Sequence, residues 1–98
     1  MKFLITWSLH EEKRHDTLAM FSQMADDQES AMMGSGMTLI GRWHDLVAGT
    51  GAAVYEADDI SAISTYALQW NRFMDLDIVP VVDDAEAKAI GQQMAASS

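Results

Sequence analysis

"LIGRWHDLVAGTGAAVYEADD", residues 39–59, reads as two strands joined by a turn. "MTLIGRWHD" (37–45) and "AAVYEA" (52–57) are rich in β-branched and aromatic residues, and "LVAGTG" between them carries Gly49 and Gly51. Apolar runs separated by a glycine-bearing loop are the mark of a β-hairpin. This hairpin decides the fold, because a helix-like segment lies on each side of it.

Upstream, "KFLITWSL" (2–9) is a further strand. In "HEEKRHDTLAMFSQMADDQES", Leu18, Phe21, Ala25 and Met32 keep close to helical spacing. Glu11 and Glu12 suit the positive end of a helix dipole. One helix from about residue 11 into the late twenties is expected, ended by Gly34 and Gly36 in "MMGSGM". Downstream, Asp58 or Asp59 is placed to cap "ISAISTYALQWNRF", where Ile60, Ile63, Ala67, Trp70 and Met74 follow the spacing of one helix face. "LDIVPVV" (76–82) is the fourth strand. Its Pro80 has no N–H to give and suits a sheet edge. "DDAEAKAIGQQMAASS" reads as a short terminal helix.

The order is β-α-β-β-α-β with a terminal helix, an α+β fold of the ferredoxin-like, split-βαβ type. It implies one domain over 1–98, with both main helices on one face of a four-stranded antiparallel sheet.

The chain has 15 acidic and 6 basic residues, a net charge of −9. Such a surface repels phosphate backbones and anionic lipid, so no nucleic acid and no membrane is expected as a partner. Absence of cysteine excludes disulfides, thiolate catalysis and cysteine-bound metal. "MKFLITWSLHEE" is too short for a signal-peptide core, and no apolar run reaches the roughly 20 residues of a membrane span. A cytoplasmic location is expected.

Side chains alternate across a strand, so parity sorts them into two faces. Phe3, Ile5, Trp7, Leu9, Leu39, Trp43, Ala53 and Tyr55 form an apolar set, expected beneath the helices. Leu4, Thr6, Ser8, Ile40, Arg42, His44, Val54 and Glu56 form a mixed set, expected on the open face because burying an unpaired charge is costly. A hairpin centred near Gly49 would pair Arg42 with Glu56 and His44 with Val54, with cross-strand neighbours about 5 Å apart. Thr6 and Ser8 on the first strand would lie close by. An open face that also carries Val79 and Val81 is too apolar for water, and a second copy of the chain is the expected cover.

His44 beside Glu56 is the candidate acid–base pair, with Arg42 placed to hold an anionic oxygen. The competing reading is a structural salt bridge at a dimer seam. Trp7, Trp43, Tyr55, Tyr66 and Trp70 are core aromatics or the walls of a pocket for a flat ligand, and Tyr66 and Trp70 have the better claim to contact one. "HEEKRH" misses the H-E-x-x-H zinc motif, because His10 and His15 stand five apart, about 140° round a helix. No metal and no cofactor are expected. Haem on His44 or His10 is the one reading the histidines leave for a bound group. The acidic pairs at 26–27, 58–59 and 83–84 serve capping and solubility. Eight methionines suit a pliable core or a pliable cavity wall.

In order, "MKFLITWSLHEEKR", "LIGRWHDLVAGTGAAVYEADD", "ALQW" and "VPVVDD" resemble the small bacterial domain-of-unknown-function family 3303. The stretch "DDQESAMMGSGM" departs from that family, which has a shorter, Pro-rich connection there. The resemblance implies a ferredoxin-like fold that pairs into a dimeric α/β barrel, and it implies no catalytic residues. Cofactor-free monooxygenases, isomerases, haem-binding enzymes and sensors share that broader fold, so analogy alone does not choose a function. The expected function is binding of a small, partly apolar ligand by a homodimer, in a cavity lined by Arg42, His44 and Glu56. His44 would act as acid or base if the protein is a cofactor-free enzyme. The alternative is a non-catalytic dimerisation or sensing module in which these residues are structural.

Overall fold

A computed structural model describes residues 1–97. Strand β1 (Lys2–Leu9) leads through a short 3-10 helix (Glu11–Lys13) into helices α1 (Arg14–Ser22) and α2 (Asp26–Met33). Then come β2 (Met37–Asp45), β3 (Thr50–Ala57), α3 (Ile60–Trp70), β4 (Met74–Val81) and α4 (Asp84–Ser97). The sheet has the order β2-β3-β1-β4, and every pair is antiparallel. β4, with Pro80, forms one edge.

The first helical segment is two helices, where the sequence suggested one. α1 stops after Ser22, and the chain restarts at Asp26 with Asp26, Asp27 and Glu29 in the first turn of α2. Those acids favour a helix beginning, not a helix middle. The Gln28 side chain accepts from the Ala25 N–H at 2.8 Å, satisfying one backbone donor at the break. Asp59 caps α3 as expected, accepting from the Ser61 N–H.

The core lies between the sheet and the helices. Phe3, Ile5, Ala53 and Tyr55 from the sheet meet Ile63, Tyr66 and Trp70 from α3, all buried. α3 earns this position through its spacing, since residues 63, 66, 67 and 70 share one face. α1 contributes a single buried residue, Thr17. Its Leu18 is 39% exposed, so this helix is packed less closely.

The sheet is not regular along β2. Leu39 faces Tyr55, but Gly41 faces Val54, so Ile40 is an extra residue in a β-bulge. Beyond it the alternation is reversed. Arg42 is paired with buried Ala53 and His44 with Gly51, while Trp43, expected in the core, is 65% exposed on the outer face. Trp43 lies over Gly41, where an added Cβ would meet its ring at 2.6 Å.

The hairpin also turns earlier than expected. Asp45 faces Thr50 across a turn at 46–49. The Asp45 carboxylate accepts from the Ala48 N–H at 3.1 Å, and Gly49 supplies the φ of 72° that closes the turn.

α4 carries no buried residue. Its first turn is tied to β1, where Lys2 Nζ lies 3.3 Å from Asp83 and 3.4 Å from Glu86. The rest stands away from the sheet, and the Cα radius of gyration is 16.0 Å, against about 13 Å for a compact chain of this size. No helix among the described residues is long and apolar enough to cross a membrane.

Candidate functional site

A cavity of about 300 Å³ lies on the helix-covered face of the sheet. Its floor comes from all four strands, including Ile5, Trp7, Ala53, Tyr55 and Leu76, and its sides from α1 and α3. The inner stripe of α1 is Arg14, Thr17, Leu18 and Phe21, spaced to share one face. α3 supplies Tyr66 and Trp70. The size and the mainly apolar, aromatic lining are those of a small-molecule site.

Arg42 and His44 both face this cavity, because the bulge at Ile40 turned them toward the helices. The Arg42 guanidinium donates to the Glu29 carboxylate of α2 and, at 3.3 Å, to the Tyr55 hydroxyl. It also lies 5.1 Å from the centre of the Phe21 ring, a cation–π contact. Burial opposes the Arg42 charge most, but the bond to Glu29 and the electrostatic pull of Tyr55, Glu29 and Tyr66 together outweigh it, and the guanidinium stays protonated. Tyr55 donates in turn to the Tyr66 hydroxyl at 3.4 Å. Burial first, then the bond to Tyr66, pushes the Tyr55 phenol far above its ordinary value, so it remains a neutral donor.

His44 is exposed as a whole residue, but its ring sits between aromatic neighbours. The centroid distances are 5.5 Å to Trp7 and 5.3 Å to Phe21. Partial burial, and then the Arg42 guanidinium, lowers its pKa below the ordinary value of 6.5. The imidazole is therefore neutral at pH 7 and has a lone pair with which to accept a proton.

The other residues singled out from the sequence are elsewhere. Glu56 pairs with Lys2 and Thr38 on the outer face, where its carboxylate accepts from the N-terminal ammonium at 2.7 Å. That ammonium is the main cause of its lowered pKa. Thr6 and Ser8 are exposed on the same outer face, beside Asp77 and Asp75 of β4. The expected grouping of Arg42, His44 and Glu56 is thus divided by the sheet. Arg42, His44, Tyr66 and Trp70 come together, while Glu56, Thr6 and Ser8 do not.

Three residues at the site were not anticipated: Glu29, Arg14 and Thr17. The last two carried a signal, standing seven and four positions before Phe21 on the same helical stripe. Glu29 carried none, since its place depends on the break between α1 and α2. Among the described residues, no group of three or more His, Cys, Asp or Glu is arranged to hold a metal ion.

These features define an α+β protein with one antiparallel sheet and an aromatic, donor-lined cavity under its helices. A family model for a domain of unknown function (DUF3303) matches residues 1–95, and the chain belongs to that family. No curated protein matches it.

Proposed function

We propose that this protein binds a small, partly apolar molecule in the cavity between the sheet and helices α1 and α3. The observation that carries this reading is the cavity of about 300 Å³ with Arg42 and His44 on an otherwise mainly apolar wall. A chain this short gains stability by filling such a space with side chains. Keeping it open beside a guanidinium and an imidazole fits a ligand better than a packing role. The lowered pKa of His44 favours a second reading, a cofactor-free enzyme in which the neutral imidazole removes a proton from the ligand. No carboxylate among the described residues is hydrogen-bonded to His44, so binding is the primary reading.

The binding unit is a homodimer built as a ferredoxin-like α/β barrel. Two apolar surfaces support this. The outer sheet face presents Ile40, Trp43 and Val79, each at least 50% exposed, and α4 presents Ile90 and Met94 at 49% and 68%. A two-fold partner would cover both with one self-complementary contact.

Indole N–H resonances test the cavity directly, because the three tryptophans divide between the faces. Trp7 and Trp70 line the cavity, and Trp43 lies outside it. Titration with a bicyclic aromatic such as 2-naphthol should shift the Trp7 and Trp70 signals and leave Trp43 in place. A shift at Trp43 alone, or at none, contradicts the reading.

A further inference from the structure

Three residues of the cavity wall each carry a polar atom that is buried with no hydrogen-bond partner among the described residues: Arg14 Nε, Thr17 Oγ1 and Trp70 Nε1. Native interiors rarely leave such groups unpaired. Thr17 is 5% exposed and Trp70 6%, so bulk water does not reach them freely. All three residues line the cavity. Arg14 forms no ion pair among the described residues.

The three belong to one end of the cavity. Leu9, the last residue of β1, faces Met74, the first of β4. The His10 N–H donates to the Phe73 carbonyl at 2.9 Å, and the Leu9 N–H to the Gly49 carbonyl at 2.7 Å. The start of α1, the end of α3 and the hairpin turn therefore meet there. Arg14 and Thr17 stand on the first turns of α1, Trp70 ends α3, and the Arg14 side chain lies against Gly49.

Indole and the guanidinium Nε are donors only. Tyr66, four residues before Trp70, adds another donor. Tyr55 donates to the Tyr66 oxygen, which leaves the Tyr66 proton for an acceptor. Arg42 is neutralised by Glu29, whereas no ion pair among the described residues neutralises Arg14. The one acid in the lining, Asp45, uses its carboxylate on the Ala48 N–H. What these donors lack is an acceptor, and beside the Arg14 guanidinium a negative one fits best.

We infer that the ligand is a flat apolar molecule carrying a negatively charged oxygen, a carboxylate or an enolate. Its oxygen is received by Arg14, Thr17 and Trp70, and its apolar body lies over Ile5, Trp7 and Phe21. The inference rests on the cavity being a ligand site and adds the chemistry of the ligand. The chain's charge of −9 opposes anions at a distance, but screening beyond about 8–10 Å leaves the local donors to decide. Charge-assisted hydrogen bonds inside a low-dielectric cavity are the strong ones.

The test compares 2-naphthoate with 2-methylnaphthalene, a ring of the same shape without the anion, by fluorescence or calorimetric titration of the full chain. Naphthoate should bind at least tenfold more tightly. Thr17→Val, which keeps the shape of the side chain but removes its hydroxyl, and Trp70→Phe, which removes the indole N–H together with part of the ring, should each cut that ratio several-fold. The melting temperature of Thr17→Val should be unchanged or raised, because it removes an unpaired buried group, whereas Trp70→Phe should melt lower, because it leaves a gap in the core. Equal affinity for the two compounds, or a ratio that neither variant alters, overturns the anion and leaves the cavity standing. Failure of both compounds to bind removes the cavity reading along with it.

Discussion

Arg42 on β2 and Glu29 on α2 form an ion pair whose side chains are only 13% and 19% exposed. The contact fastens a helix that has no buried residue of its own to the edge strand β2. It also sets the direction of the donor chain through Tyr55 to Tyr66. Removing one partner from a largely buried pair leaves the other charge uncompensated. Glu29→Ala should cost about 2–3 kcal/mol, less than a fully buried pair because both ends keep some contact with water. Urea denaturation of Glu29→Ala, Arg42→Met and the double variant checks this. The double variant should be more stable than Glu29→Ala alone.

The lowered pKa of His44 has a consequence for stability with a definite sign. The folded state holds the imidazole neutral to a lower pH than the unfolded chain does, whose histidine titrates near 6.5. The unfolded state therefore binds more protons in that interval, and stability rises with pH. The contribution is complete above about pH 6.5 and is lost as pH falls through the folded pKa. Melting curves between pH 8 and pH 5 should fall more steeply for the parent protein than for His44→Gln, and the His44 ring protons should titrate with a midpoint below 6.5.

Trp43 separates self-association from ligand binding. It lies on the outer face at 65% exposure, across the sheet from the cavity. Trp43→Glu should leave the fold intact, since the ring contributes nothing to the core. Sedimentation velocity at micromolar protein should change from dimer for the parent to monomer for the variant. A parent chain that sediments as a monomer would contradict the dimer.

Gly49 joins the hairpin turn to the cavity. Its φ is 72°, and a Cβ there would lie 2.8 Å from Arg14 Nε. Gly49→Ala should cost about 1–2 kcal/mol for the left-handed backbone alone. It should also displace the Arg14 side chain, so affinity for 2-naphthoate should fall along with stability in urea. A variant that loses stability but keeps naphthoate affinity would show that Arg14 is free to move aside.

Local chemistry made much of this fold legible. β-branched and aromatic runs marked β1 and β2 at the bounds observed, and Asp58 or Asp59 with the spacing of Ile63, Ala67 and Trp70 marked the start and inner face of α3, although Ile60 is exposed and Met74 belongs to β4. Trp70 followed from the same periodicity, and Tyr66 was singled out as an aromatic at the edge of that helix. These properties are set by neighbours within a few residues, which is why composition and spacing reveal them.

Which residues share the cavity was decided by pairing between distant strands. A strand's alternation has a period of two, so one additional residue reverses every side chain beyond it. Ile40 is that residue, and it moved Arg42 and His44 under the helices and Trp43 to the outside. Gly41, a lone glycine within a strand pattern, was the visible sign of a bulge. Its effect depended on the β3 backbone opposite, as the place of Glu29 depended on where α2 packs. The sequence by itself determined the four strands and the inner stripe of α3, but not the break between α1 and α2. Only the tertiary structure decided which face received the charges, because register is a property of two strands and not of one.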